Sequence, residues 1–325
     1  MVERLLKDIF LIKVPLPGNP LKNLNSFLIK GKDRNLLIDT GFHSAKCFQA
    51  LQDGLEKIDV DMRQTDIFLT HMHADHAGCA SLIASEESRI FVSDEDKKGM
   101  ENYFVPDYWK LVFQKYLSLG FSEEELTAVF QQPGWRNPIG EQGDYHGLAD
   151  GHEFDLGTYR FQCILTPGHT PGHMCLYDKA KKVLFCGDHV LYDITPNITG
   201  WLEMENSLGK YLDSLEKMKG LEAEFAFCSH RKPLGKFQAR VNELMEHHEE
   251  RLEETLDIME KSGKATPYFA ASKMKWSVRT ENWDKFPVEQ KMFAVGEADS
   301  HLEYLFYKGR LKRELLDGLL VYFAK

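Results

Sequence analysis

Stacked β-sheets with helices on their outer faces, an α+β arrangement followed by a small, mostly helical terminal domain, are what this sequence predicts. Three observations carry the prediction. Eight apolar or alternating runs of strand length fall within the first 235 residues, helical patterns lie between them, and the texture changes beyond Gly235 to long amphipathic helices and a closing hairpin.

Taken in order, the opening stretch MVERLLKDIFLIKVPLPG is broken by Glu3, Lys7 and Asp8. No run approaches the roughly 18 apolar residues of a membrane span, so neither a signal peptide nor a membrane anchor is predicted. Strands are expected at Phe27-Leu28-Ile29, Leu36-Leu37-Ile38, Asp66 to Thr70, Arg89 to Val92, Tyr159 to Leu165, Met174 to Tyr177, Val183 to Cys186 and Phe225 to Cys228. Helical patterns occupy Ala45 to Lys57, Ala77 to Ser85 and Leu208 to Lys219.

The segment 94–150 is too long for a simple connection. It carries Tyr103, Phe104, Tyr108, Trp109, Phe113, Tyr116, Phe121, Phe130 and Trp135 on a mostly helical pattern. Aromatics at helical spacing usually pack, so a helical insertion lying on the sheet is the expectation, with a substrate-lining role for some of them as the alternative. After Gly235, Phe237 to Lys261 reads as a long charged helix, Gly263 as a break, and Pro267 to Lys275 and Val288 to Lys308 as further helices. A hairpin turning at Asp317-Gly318 closes the chain. Three helices and a hairpin suggest a winged-helix-like domain over 236–325, beside a larger domain over 1–235.

The 325 residues include 50 acidic and 40 basic side chains, a formal charge of −10. A sequence-independent grip on nucleic acid would need a local basic patch, so polynucleotides are disfavoured and a small-molecule substrate is expected. Cys47, Cys79, Cys163, Cys175, Cys186 and Cys228 form no Cys-x-x-Cys pair or close framework, which points to a reducing cytoplasm and to thiols buried as small apolar groups.

The chemistry concentrates in Thr70-His71-Met72-His73-Ala74-Asp75-His76, directly after the apolar run Ile67-Phe68-Leu69. Three imidazoles and a carboxylate within six residues are costly to gather in one loop unless a cation offsets their convergence. His169, Asp188 and His230 recur in the same setting, each just past an apolar strand. Strands pinned in a sheet deliver their terminal loops to a common edge, so the four segments read as one site.

This ligand pattern, His71-x-His73-x-Asp75-His76 followed by His169, Asp188 and His230, resembles the metallo-β-lactamase superfamily. The run Leu36-Leu37-Ile38-Asp39-Thr40-Gly41 and the loop Pro167-Gly168-His169-Thr170-Pro171-Gly172-His173 resemble two more of its motifs. The resemblance implies an αββα sandwich with metals at one sheet edge. It implies that His71, His73 and His169 hold one ion, that Asp75, His76 and His230 hold another, and that Asp188 bridges them. Asp39 would support the ligands from behind, and His173 would be structural. Asp75 would also act in catalysis, orienting hydroxide or moving a proton. Gly187 to Ile198 resembles the lactamase-beta-like branch, which carries a terminal winged-helix-like domain and includes an endoribonuclease.

Imidazole and carboxylate together suit two divalent ions, zinc first, with iron or manganese also accommodated. A closed structural site would use four Cys or His, whereas seven ligands including carboxylates leave positions for water and substrate. His43, His146 and His152 read as isolated loop histidines. His189, next to Asp188, is a candidate substrate contact. Arg231 and Lys232 depart from the small residues the family more often places after its last histidine; Arg231 is either a cationic wall for an anionic substrate group or part of a surface charge pair.

The expected activity is hydrolysis by a metal-activated hydroxide, on a thioester or another small ester-like substrate. A phosphodiesterase or endoribonuclease is the alternative, for which Lys308, Arg310, Lys312 and Arg313 would supply a basic stripe. A mononuclear iron sulfur dioxygenase and a non-enzymatic regulator are weaker readings, because the second set of ligands is complete. The terminal domain would serve as a wall of the cleft or as the contact of a homodimer.

Overall fold

The computed structural model describes residues 1–131, 139, 143–277 and 282–325. Alternation of apolar and polar residues builds a first sheet from β1 (Val2–Leu6), β2 (Ile9–Pro15), β3 (Asn23–Ile29), β4 (Asn35–Ile38), β5 (Thr65–Phe68), β6 (Ile90–Ser93) and β7 (Tyr145–Leu148), in that spatial order. The first four strands pair antiparallel and β4 to β7 pair parallel. The second sheet places β8 (Glu153–Asp155), β9 (Arg160–Leu165), β10 (Met174–Asp178), β11 (Val183–Phe185) and β12 (Phe225–Phe227) side by side, with β11 and β12 parallel.

The two sheets face each other across one apolar layer. Ile9, Leu11, Phe27, Ile29, Leu36, Ile38 and Phe68 from the first meet Phe161, Met174, Leu176, Phe185 and Phe227 from the second. Phe27, Phe185 and Phe227 pack with ring centroids 5.1–5.6 Å apart, and each fully buried ring stabilises the sandwich by roughly 1.5–3 kcal/mol. The outer face of the first sheet is covered by α1 (Ala45–Lys57), which starts at the Ser44 cap, through Cys47, Leu51 and Leu55. The outer face of the second is covered by two later helices, Ser207–Lys219 and Phe237–Ser262. The layer order is therefore αββα.

The pattern read as one helix over Ala77 to Ser85 is two short turns, α2 (Ala74–Ala77) and α3 (Ala80–Ile83). The interruption lies at Gly78, where a Cβ would stand 2.6 Å from the backbone nitrogen of His43. β1 and β2 also lie outside the strands expected; Asp8 at φ 63° makes the tight turn that joins them.

Helices α4 (Asp94–Asn102), α5 (Pro106–Ser118) and α6 (Glu123–Phe130) form the insertion, followed by α7 (Ser207–Lys219), α8 (Phe237–Ser262), α9 (Pro267–Lys273) and α10 (Val288–Tyr307). Tyr211 and Leu215 of α7 and Phe237 and Val241 of α8 pack on Cys175, Tyr177 and Leu184 of the second sheet. Of the insertion, expected to lie on the sheet, α4 packs beside β6 and β7, whereas α5 and α6 do not. Trp109, Phe113, Tyr116, Phe121 and Phe130 share one apolar cluster with Met259, Ala270, Val295, Leu302 and Tyr322 of the terminal region. The apolar faces of α5 and α6 are turned away from the first sheet, and α9 and α10 complete them. Only Tyr103 and Phe104 of that aromatic set join the layer under α1, and Trp135 lies outside the described residues.

β13 (Lys264–Ala265), β14 (Leu311–Leu316) and β15 (Leu319–Ala324) form a third sheet in the order β13-β15-β14. The hairpin turns at Asp317-Gly318, both with positive φ. Among the described residues no helix is long and apolar enough to cross a membrane.

Candidate metal centre

β4, β5, β11 and β12 end at one edge of the sandwich, and the residues that follow them meet there. Asp39 follows β4, His71 to His76 follow β5 and run into α2, Asp188 follows β11, and His230 follows β12. His169 arrives on the loop between β9 and β10. Three sets of donor atoms lie within 4.8 Å of one another: His71, His73 and His169; His71, His76 and Asp188; and Asp75, His76 and His230. All seven residues singled out as ligands are therefore brought together.

Four of the five rings are aimed from behind. His71 Nδ1 meets Thr70 Oγ1 at 3.0 Å, His76 Nδ1 donates to Asp39 Oδ2 at 2.8 Å, His169 Nδ1 donates to the Asn197 carbonyl at 2.9 Å, and His230 Nδ1 to the Asn23 carbonyl at 3.2 Å. These four rings thus turn Nε2 inward, whereas His73 presents Nδ1, 3.0 Å from His71 Nε2. Partners of this kind fix the tautomer that a metal needs.

Asp39 is fully buried in a left-handed backbone conformation, φ 58°. Besides His76 it accepts the Thr70 N–H and hydroxyl, each at 2.8 Å, and the Ser229 hydroxyl at 3.3 Å. It lies behind the ligands, where the resemblance put it. His173 Nε2 accepts the Asp188 N–H at 3.1 Å, and its Nδ1–H donates to Thr166 Oγ1 at 2.8 Å. Gly187 makes that approach feasible, since a Cβ there would stand 2.5 Å from His173 Nε2.

The electrostatics divide the five clustered imidazoles. Burial and the neighbouring His76 push His71 well below its usual range, and burial with His169 takes His73 down to about 3. Burial acts the same way on His76 and His230, but carboxylates overcome it. Asp39, Asp188 and Asp75 lift His76 well above its usual range, and Asp188 and Asp75 lift His230 to about 10. Asp75 is held down to about 2 against burial by His76 and His230. Asp188 Oδ2 lies 3.8 Å from His169 Nε2, 3.6 Å from His76 Nε2 and 3.4 Å from His230 Nε2, so one carboxylate reaches rings of both outer donor sets.

The donor set fits divalent cations. Asp188 Oδ1 and His169 Nε2 are buried with no hydrogen-bond partner among the described residues, a costly state that a cation between them would relieve.

Several supporting residues carried no sequence signal. Asp96 is fully buried and accepts the Met72 N–H at 2.9 Å, the Thr170 hydroxyl at 2.7 Å and the Gly172 N–H at 2.6 Å, stapling the His71–His76 loop to the His169 loop. Burial takes it up to about 6 against those three donors. In the sequence it looks like an ordinary acid in a helix's first turn. Trp201 stacks on His73 at 5.7 Å and donates to the His169 carbonyl at 3.2 Å. Asn197 is held by α10, its Nδ2 donating to Glu297 Oε2 at 3.2 Å and to the Phe293 carbonyl at 3.3 Å. Glu297 in turn pairs with Arg251 at 3.3 Å.

His189 does not face the groove that sequence position suggested. It is fully buried, 5.2 Å from Tyr211 and 6.0 Å from His173, because the residue after Asp188 points back under the second sheet. Arg231 is exposed and lines a cavity beside His230. His43, His146 and His152 are exposed and lie outside the donor sets. Cys79 and Cys228, which flank the ligands, are buried and pushed up to about 12 by burial, and burial raises Cys186 well above its usual range, so none presents a reactive thiolate.

Known proteins share both the fold and the stretch that carries these residues. A structure of a metallo-beta-lactamase family protein from Thermus thermophilus superposes with a TM-score of 0.84 at 27% identity, covering 99% of this chain and 100% of that one. The lactamase-like protein adaB of Aspergillus niger is 26% identical over 251 residues, 76% of this chain. This chain spans 63% of that protein, less than two thirds of its length. The acyl-coenzyme A thioesterase MBLAC2 of Homo sapiens is 26% identical over 203 residues, 60% of this chain and 66% of that protein. Residues 20–230 match the family described as the metallo-beta-lactamase superfamily, a span running from the loop before β3 to the last histidine of the site. The chain belongs to the metallo-beta-lactamase superfamily.

Proposed function

We propose that this chain is a metallo-hydrolase of acyl thioesters, working with two divalent ions, zinc in the first instance. The observation that carries the reading is the pair of donor triads, His71, His73, His169 and Asp75, His76, His230, with Asp188 Oδ2 reaching rings of both. His71, His73 and His169 would hold one ion, Asp75, His76 and His230 the other, and Asp188 would bridge them. Ions held there would supply hydroxide at neutral pH and polarise the carbonyl under attack.

The chain's own groups supply position. Asp75 and His73 are the partly open members of the cluster, so substrate and water approach over them. A carboxylate as acidic as Asp75 orients a water better than it removes its proton. Trp201 forms an apolar wall beside His73. Thioesters are favoured by the relative named an acyl-coenzyme A thioesterase. The phosphodiester alternative has less support, because Arg313 of its basic stripe is engaged by Glu303 at 3.1 Å and stacks on Phe306.

The order α8-β13-α9-α10-β14-β15 supports a winged-helix-like terminal domain, here serving to brace Asn197 behind His169. Six free, buried cysteines support a reducing, cytoplasmic setting. The test is metal content by elemental analysis, with thioester, lactone and bis-phosphodiester substrates assayed on the same sample. Two metals per chain with thioester turnover is the expected result. One iron without hydrolysis, or turnover confined to the phosphodiester, would overturn it.

A further inference from the structure

Beside His230 lies a cavity of about 420 Å³ lined by Lys13, Pro20, Leu21, Lys22, Asn23, Asn25 and Arg231. Three of the seven lining residues are cationic and none is acidic, in a chain whose formal charge is −10. Lys13, Lys22 and Arg231 take part in no ion pair among the described residues, although acids outnumber bases by 50 to 40.

The cavity is part of the fold's plan. Lys13 and Asn25 stand opposite each other in the β2–β3 register and continue the inner face that carries Leu11 and Phe27. Arg231 sits in the tight loop after His230, with φ 57°, and Lys22 ends the β2–β3 loop with φ 67°. A left-handed backbone costs a non-glycine residue roughly 1–2 kcal/mol, so each position would accept glycine more cheaply than the cation it carries.

Asn25 fixes this arrangement. It is 1% exposed, and its Nδ2 donates to the carbonyls of Cys228 at 3.1 Å and Arg231 at 3.3 Å. Two carbonyl partners set the amide's orientation and leave Oδ1 as the free atom. Oδ1 has no partner. The cavity therefore offers three cations and one buried acceptor, and its size suits part of a small molecule.

We infer that this cavity is a subsite for the phosphate-bearing arm of a coenzyme A thioester, with Lys13, Lys22 and Arg231 holding phosphate and Asn25 Oδ1 accepting an N–H or O–H from the same arm. The inference rests on the thioesterase reading and deepens it. Phosphate groups match several flexible ammonium groups and one guanidinium better than a single carboxylate does. Asn23 joins the subsite to the reacting centre, since its carbonyl anchors His230 and the residue itself borders the cavity.

The test compares one acyl group carried on coenzyme A with the same acyl group on phosphate-free pantetheine, in the metal-loaded wild type and in the Lys13→Ala/Lys22→Ala/Arg231→Ala variant. KM for the coenzyme A ester should rise about 10–100-fold in the variant, with kcat and the pantetheine ester unchanged. An equal loss on both esters, or no change on either, overturns the subsite. Calorimetry with free coenzyme A separates the two readings. If neither ester is hydrolysed the thioesterase reading fails, and the subsite still stands or falls on whether the triple variant weakens coenzyme A binding. The single Lys22→Glu reversal, at an exposed position, should weaken that binding in the same direction.

Discussion

Two groups of buried histidines adjoin each other through His173, and they differ in the company they keep. On one side the rings of His71, His73, His76, His169 and His230 surround Asp75 and Asp188, with Asp39 behind. On the other, His189 leads past Tyr211 at 5.2 Å to His248 at a further 5.4 Å, and His248 Nδ1 lies 3.2 Å from His301 Nε2. That second string contains no carboxylate. Burial with His301 drives His248 well below its usual range, and burial takes His301 down to about 3, opposed by its bond to the Glu297 carbonyl at 2.7 Å. Burial acts on both groups alike, so carboxylates decide which histidines become a cation site and which become neutral packing.

Removing the carboxylate that reaches both donor triads is the most damaging way to break this distinction. Asp188→Ala should empty the centre and lower hydrolysis by more than the roughly 10–100-fold that loss of a supporting group costs. Metal content and turnover measured on one preparation decide it, and retention of two metals would refute the ligand assignment. Asp39→Asn should weaken metal affinity by roughly 10–100-fold, since His76 loses its anionic partner while the ligands stay in place. Chelator competition reads this directly, and unchanged affinity would reduce Asp39 to a backbone brace.

A smaller effect is expected from the terminal region. Glu297→Ala frees Asn197, whose carbonyl holds His169, and should weaken metal affinity by about 10-fold, with Glu297→Gln restoring most of it. Equal behaviour of the two variants in chelator competition would show that the region braces the loop without orienting His169.

The least effect on metal should come from the second string. The His248→Leu/His301→Leu variant is expected to keep full metal content and to change the pH dependence of stability. His248 and His301 are bases whose folded pKa lies below the unfolded value of about 6.5. Their neutral packing is fully stabilising above that value. It is lost as pH falls toward about 3, because only the unfolded chain takes up the protons. Between about pH 7 and pH 5 the stability gap separating the wild type from the variant should therefore shift by about 2 kcal/mol or more in the variant's favour. Denaturant titrations at both pH values measure it, and a constant gap would mean that the pair accepts protons within the fold.

The site was legible because its chemistry is local. His71, His73, Asp75 and His76 fall within one loop, and His169, Asp188 and His230 each follow an apolar strand. Helix α1 and the hairpin at Asp317-Gly318 were equally plain, marked by periodicity and turn chemistry. What supports the ligands was hidden, because Asp96, Asn197 and Glu297 act through contacts between segments far apart in the chain. Lys13 and Lys22 carried no local sign of a shared cavity with Arg231, since only the strand register brings them together. β1 and β2 were missed because their charged turn at Lys7-Asp8 made the stretch look like a broken leader. His189 was placed wrongly because adjacency along the chain was taken for adjacency in space.

The apolar cluster shared by α5, α6 and the terminal region has a consequence for biosynthesis. Trp109, Phe113 and Phe130 pack on one another, but the cover that α10 and the last strand lay over them comes only when Val295, Leu302 and Tyr322 have been made. At roughly 5–20 residues per second, the aromatic faces of the insertion wait on the order of ten seconds or more on the ribosome with nothing to cover them. All seven candidate ligands are translated before Glu297, so the ligand set is complete before the brace behind His169 exists. A premature stop ahead of α10 would then release a chain that carries the ligand set but leaves the insertion without that cover, a substrate for chaperones and proteases.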